Sequence, residues 1–331
     1  MNILYLPCHE VLEYDELRML TEIPGVNVMS PGAYWKPSKG ARLRLPLNIP
    51  RNQEWIDAWN SIPASPGQDH KLYITPQALE PYDAIIVMHK WSFIYNNLEA
   101  FKGKKVIWRD IGQTVPKDEV RHIKRVQDSG VKIVRYWDGY QDRKDYQGHD
   151  AIIPFGKYPE DFHTWTGEEK VIAGCCNNIA NRAKVCRTHC WDHVTSDLPA
   201  ALYGILNHGE KHYQGSPDYH TFLKHLSRHR VMWYGGTKPA PYTLAFLEAL
   251  FTGLPLFGVS SPGWETALPG LLDSSQLAPD TWTLKMKIKD ALTMDPSEWL
   301  QSLSKKQVKV ARDKFSATRV KKLWKNFLFS L

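Results

Sequence analysis

One stretch, RVMWYGGTKPAPYTLAFLEALFTGLPLFG at residues 230–258, restricts the fold more than any other part of the chain. Residues 231–234 are an apolar run of strand length, and Gly235, Gly236 and Thr237 mark a turn. A proline-rich loop leads into a helix expected over residues 242–251. Gly253 stops that helix, and residues 254–259 are a second apolar strand. Strand, loop, helix, strand is one βαβ unit of a parallel sheet. The helix is apolar on nearly every side, through Leu244, Ala245, Phe246, Leu247, Ala249, Leu250 and Phe251, yet it carries one carboxylate, Glu248. An unpaired buried charge is very costly, so Glu248 needs a partner. The loop before the helix offers backbone N–H groups at a helix N-terminus, a natural anion seat. An anion seat beside a hydrogen-bond acceptor suits a nucleotide diphosphate and its ribose.

The 331 residues suffice for two domains of ordinary size. A hydrophobic share of 43% against a charged share of 23% is that of a soluble globular protein. No apolar run reaches the roughly 18–20 residues that span a bilayer. The opening MNILYLPCHE lacks a basic region and a long apolar core, so it reads as a first strand and not a signal peptide. The expected location is the cytoplasm, host cytoplasm if the chain is viral. The formal net charge of +7 fits anionic partners such as nucleotides, nucleic acid or acidic lipid, and equally an ordinary solvated surface. Five cysteines, an odd number, argue against a disulfide framework in such a compartment. Four of them, Cys175, Cys176, Cys186 and Cys190, cluster with His189 and His193. Their spacing matches no common zinc pattern, and buried thiols account for them better.

Strand-like runs fall at residues 2–6, 26–29, 84–88, 105–108 and 132–135. Helical stretches at 14–21 and 118–129, the latter stopped by Gly130, lie between some of them. This alternation predicts a doubly wound α/β domain. Residues 30–81 are irregular and rich in Pro, Arg and Trp, as expected of a surface covering or a binding loop. A second set of strands is expected at 151–155, 170–174, 201–205, 230–234 and 254–259. One or two basic helices follow over 304–331, with Val320, Leu323, Trp324, Phe327 and Leu328 on one face. Two α/β domains in series form a cleft at the C-terminal ends of their strands, where ligands tend to sit.

Three stretches carry a resemblance to GT-B-fold glycosyltransferases of the retaining glycosyltransferase family 4. DAIIPFGKYPEDFHTWTGEEKVIAGC resembles that family's interdomain crossing. The 230–258 stretch, with its Leu-Glu-Ala-Leu-x-x-Gly-x-Pro ending, resembles its donor-binding core. ARDKFSATRVKKLWKNFL resembles its terminal helix, which crosses back onto the first domain. The resemblance implies an α/β GT-B fold of two Rossmann-like, doubly wound domains facing across a cleft. Residues 1–155 would form the acceptor-side domain, 156–169 a linker, 170–312 the nucleotide-sugar domain, and 313–331 the returning helix. It further implies that Glu248 holds the donor's ribose hydroxyls. Ala240 stands where the family carries another glutamate, so backbone groups of residues 240–243 would supply that sugar contact. The family's glycine-rich turn after the first strand is replaced by PCHEVLEYDE.

Glycosyl transfer passes through an oxocarbenium-like state as a nucleotide diphosphate departs, and fixed donors must stabilise the charge that develops. The candidates are Gly236, Thr237, Lys238, Tyr242 and Thr243, with Arg182 or Lys184 after the strand at 170–174. No Asp-x-Asp motif ends a strand, so neither a metal nor any cofactor beyond the nucleotide-sugar co-substrate is expected. The expected donor is a UDP-sugar. On the first domain, His89 follows AIIVM, where family members often carry a histidine; His9 and Glu10 follow the first strand; Arg109, Asp110 and Gln113 follow KKVIW. His89, His9 and Asp110 are the catalytic candidates. Arg109 and Gln113, with Arg42 and Arg44 from the irregular segment, are the acceptor-binding candidates. Any one of the strand-end residues alone reads more readily as a capping or loop-fixing residue, but polar clusters after three strands of one sheet point to a site. The activity expected is sugar transfer from a UDP-sugar to an acceptor hydroxyl, with a hydroxymethylated base of phage DNA as one acceptor. The alternatives are an acceptor in cell-surface glycan or lipid-linked sugar biosynthesis, and a non-catalytic nucleotide-sugar-binding protein.

Overall fold

The computed structural model describes residues 1–31, 57, 61, 73–112, 116–182, 186–237, 240–260, 268, 270–272, 274–294 and 298–331. The chain forms two compact units. The first runs up to Gly156 and takes in Ala317–Leu331 again at the end; the second is built from Lys157–Ser316.

Unit 1 is a six-stranded parallel sheet in the order β2-β1-β3-β4-β5-β6. The strands are β1 (Asn2–Leu6), β2 (Asn27–Met29), β3 (Ala84–Met88), β4 (Lys105–Arg109), β5 (Lys132–Arg135) and β6 (Ala151–Ile152). Every residue of β3 is buried, which is why AIIVM is apolar without alternation: a central parallel strand is covered on both faces. The strand order reverses between β1 and β3, with Leu6 opposite Val87 at their C-terminal ends. In open α/β sheets, ligands favour that switch point. Helix α1 (Glu10–Thr21) packs against the last helix of the chain, Ala317–Ser330, and Lys321 reaches Glu22 at 2.6 Å.

Unit 2 is a five-stranded parallel sheet in the order β11-β10-β9-β7-β8. The strands are β7 (Glu169–Cys175), β8 (Ala200–Tyr203), β9 (His229–Trp233), β10 (Leu256–Val259) and β11 (Leu277–Ala278). Its order reverses between β7 and β9. The crossover helix is Leu244–Thr252, two residues later at its start than the pattern predicts. Tyr242 and Thr243 lie outside it, and Thr243 is the extended N-cap residue at φ −120°. Gly253 ends the helix in the left-handed region at φ +81°, and its N–H and that of Leu254 both donate to Ala249 O at 2.9 Å. The strand after it begins at Leu256, beyond Pro255, whose carbonyl still accepts from Met232 N at 2.8 Å. The basic C-terminal stretch resolves into two helices, Glu298–Phe315 and Ala317–Ser330. At the entry to unit 2, Lys157 pairs with Ser316 through a β-bridge and donates its N–H to Phe315 O at 2.8 Å.

Candidate functional site

In unit 1 the switch point is occupied by His9 after β1 and His89 after β3. His89 sits at φ +70°, a conformation that few residues other than glycine adopt and that marks strain held by the surroundings. Those surroundings are visible. Its N–H donates to Arg109 O at 2.9 Å, and its carbonyl accepts from Trp108 Nε1 at 2.9 Å and Trp91 N at 3.0 Å. The ring nitrogen Nδ1 is buried and, among the described residues, has no hydrogen-bond partner. Burial, aided by the neighbouring Lys90 charge, lowers the His89 pKa to about 4. The imidazole is therefore neutral near pH 7, able to accept a hydrogen bond. His9 is the N-cap residue of α1, and its carbonyl accepts from Glu13 N at 2.9 Å.

Arg109 and Asp110 follow β4 as the sequence predicts, but both turn inward. Arg109 is fully buried, bonded to Glu16 Oε1 at 2.5 Å and to Ile153 O at 2.6 Å, with Phe155 and Trp324 beside its guanidinium. Tyr5 OH donates to the second Glu16 oxygen at 2.6 Å. A guanidinium so committed is a strut of the unit, so the acceptor contact expected of Arg109 is corrected to a structural one. Asp110 is likewise buried. It accepts from Gly112 N at 2.8 Å and lies 3.4 Å from Arg135, which also grips Glu119. That places Asp110 in an internal ion network, a structural position in place of the catalytic role expected of it. Gln113, Arg42 and Arg44 lie outside the described residues.

In unit 2 the turn after β9 and the end of β7 meet at the switch point. Gly236 takes φ +69°, and Thr237 Oγ1 lies 3.4 Å from Cys186 Sγ. Arg182 closes the short helix Ile179–Arg182 after β7, and its carbonyl accepts from Cys186 N at 2.7 Å. Cys186 is pulled below the usual thiol range by hydrogen bonds from Cys176 and Thr237 and by the Arg182 charge, against burial. Cys175, the last residue of β7, is pushed up to about 12, by burial first and the Glu248 charge next, with Arg182 opposing. Cys175 is thus the electrostatic neighbour of both Arg182 and Glu248. No side chain caps the helix Leu244–Thr252, so its first-turn N–H groups keep their capacity to bind an anion. Tyr242 is buried, with Phe246 at 6.2 Å and Phe315 at 5.4 Å between ring centroids, so its ring anchors the loop from inside. Lys238 and Lys184 lie outside the described residues. Among the described residues, no group of three or more His, Cys, Asp and Glu is arranged to hold a metal.

Glu248 is 4% exposed, and its partner is in the protein: Lys157 Nζ lies 3.3 Å from Oε1. The need for a partner was legible in the apolar helix; Lys157 was not read from the sequence. The available signal was a lysine inside the otherwise apolar IIPFGKY run.

No family model matches the chain, and no curated protein matches it. Solved structures do. Anabaena Alr3699/HepE in complex with UDP and glucose is 14% identical over 100% of both chains, with a TM-score of 0.69. A sucrose-phosphate synthase from Thermosynechococcus elongatus is 13% identical over 100% of both, with a TM-score of 0.65. WaaG, a glycosyltransferase involved in lipopolysaccharide biosynthesis, is 12% identical over 98% of this chain and 99% of its own, with a TM-score of 0.62. The chain has the α/β fold of these GT-B proteins, two Rossmann-like parallel sheets with their helices.

Proposed function

We propose that the protein is a glycosyltransferase that takes its sugar from a nucleotide-diphosphate sugar, a UDP-sugar in the first instance. The observation that carries this is the convergence at the β7/β9 switch point. An uncapped helix N-terminus, the Gly236–Thr237 turn and Arg182 offer positive potential there, and the Glu248 carboxylate lies near the same strand ends. Diphosphate and ribose need those two chemistries side by side. Neighbours of the same fold were solved with UDP, glucose and UDP-glucose, which supports the choice of uridine. In this reading Thr237, Thr243 N–H, Arg182 and Lys238 stabilise the departing diphosphate, and Glu248 accepts from the ribose. His89, a neutral imidazole, accepts a hydrogen bond from a substrate hydroxyl, with His9 beside it at the end of β1. Retention of configuration and independence of metal follow from the resemblance of the 230–258 stretch and from the missing Asp-x-Asp motif.

A hydroxyl of a glycan or lipid-linked sugar is the first acceptor to test, as a neighbour of this fold acts in lipopolysaccharide biosynthesis. The net charge of +7 keeps a hydroxymethylated DNA base as the second. The test is titration with UDP, UDP-sugars and other nucleoside diphosphates by calorimetry, then radiolabelled transfer with and without each acceptor, in excess EDTA. Selective UDP binding and EDTA-resistant transfer are expected. Glu248→Ala should weaken UDP binding by about 1.5–3 kcal/mol, the scale of a hydrogen bond to a charged group. The absence of any nucleotide binding would overturn the reading; binding without transfer to either acceptor would leave a nucleotide-sugar-binding protein.

A further inference from the structure

Lys157 is the first residue of unit 2, and its backbone is pinned by Phe315 O and Ser316. Its side chain is fully buried. Nζ lies 3.3 Å from Glu248 Oε1 and 3.3 Å from Tyr219 OH, and 5.4 Å from the centre of the Tyr219 ring. Tyr219 opens the helix Tyr219–Arg228, whose N-terminus is fixed by Asp218. That carboxylate accepts from Thr221 N at 3.0 Å and from its hydroxyl at 2.6 Å. The ammonium therefore has a defined place. It takes one oxygen of Glu248; no described residue donates to the other, Oε2.

A buried ion pair gains little over two apolar side chains of the same size, because desolvation offsets the attraction. Around Glu248, Phe246, Leu247, Ala249 and Leu250 are all buried, so a leucine at position 248 would suit the core alone. An ion pair retained there answers a different requirement. The geometry points to one: we propose that Lys157 is a positioning residue for the donor ribose. It holds Glu248 by Oε1, turned so that Oε2 is left to accept from a ribose hydroxyl. The inference rests on the reading of Glu248 as the ribose acceptor. Without the ammonium, Oε1 loses its anchor and the carboxylate is no longer held in that orientation.

The experiment compares the affinities of UDP and of 2′,3′-dideoxy-UDP for the whole protein. The wild type should prefer UDP by about tenfold or more, and Glu248→Gln should lose that preference. Lys157→Met should lose it too, and bind dideoxy-UDP as the wild type does. Tyr219→Phe, which keeps the packing and removes the hydroxyl that holds Nζ, should lose several-fold in UDP affinity alone. It serves where Lys157→Met does not fold. A wild type blind to the ribose hydroxyls overturns the ribose reading and this inference with it. A preference that depends on Glu248 but survives Lys157→Met overturns the inference alone. If Lys157→Met does not fold, unchanged Tyr219→Phe affinities do the same.

Discussion

A histidine at φ +70° with a buried, unpartnered ring nitrogen is held against its own preferences by Arg109 O, Trp108 and Trp91. Asparagine tolerates the left-handed region better than most residues, so His89→Asn separates backbone from ring. We expect its unfolding free energy to stay within about 1 kcal/mol of the wild type. Its transfer rate should fall by about a hundredfold or more, the scale of a lost acid–base or hydrogen-bonding group. A mutant with wild-type turnover would remove His89 from the mechanism. His89 was legible because a polar residue directly after a wholly apolar strand stands out. The strain was not, since it arises from carbonyl and N–H partners around residues 91 and 108–109. The same limit explains Arg109. Its position after β4 was legible, but its ion partner Glu16 is 93 residues away in the chain, and Lys157 is 91 from Glu248. No local pattern encodes a partner at such a separation.

Among elements, the βαβ unit was legible because its strands are buried on both faces and so leave uninterrupted apolar runs. Its boundaries shifted by a residue or two, where Pro255 and the extended Thr243 set the ends. β11 was missed because it is two residues long, too short for any periodicity. Gly253 is the punctuation that was read most directly. A Cβ added there would come within 2.4 Å of Ser304 Oγ and 3.0 Å of Val308 Cγ2, in a backbone conformation already strained for an L-residue. Gly253→Ala is expected to cost about 1–3 kcal/mol in denaturant unfolding, from strain and the crowded Ser304 contact. An unchanged midpoint would show that the helix Glu298–Phe315 yields at that point.

At the scale of the molecule, two buried imidazoles set an acid limit. Burial, with Lys90 at one site and His225 at the other, lowers His89 and His229 to about 4. Unfolded histidines titrate near 6.5, so between these values the unfolded chain binds more protons and stability falls as the pH drops. Calorimetric melts should therefore lose stability from about pH 6.5 toward 4 and show no loss from these groups above it. A flat profile across that window would mean that the two rings bind protons as readily in the folded state as in the unfolded one. The two-sheet plan was legible from the order of strands and helices, but the division of the chain has a temporal side that no pattern of residues displays. Unit 1 is closed by residues 317–331, where Trp324 covers the Arg109 guanidinium at 5.4 Å and Lys321 reaches Glu22. Residues 157–316 are synthesised in between, which at ribosomal speeds of about 5–20 residues per second takes on the order of ten seconds. Throughout that interval a finished Rossmann sheet lacks the helix that roofs its buried charge. A chain stopped after Ser316 should give up residues 1–156 to pulse proteolysis while 157–316 resists, and equal resistance of both would refute this. The half of the protein that is made first is the half completed last, so a nascent chain is exposed to chaperones and proteases for longest on its N-terminal side.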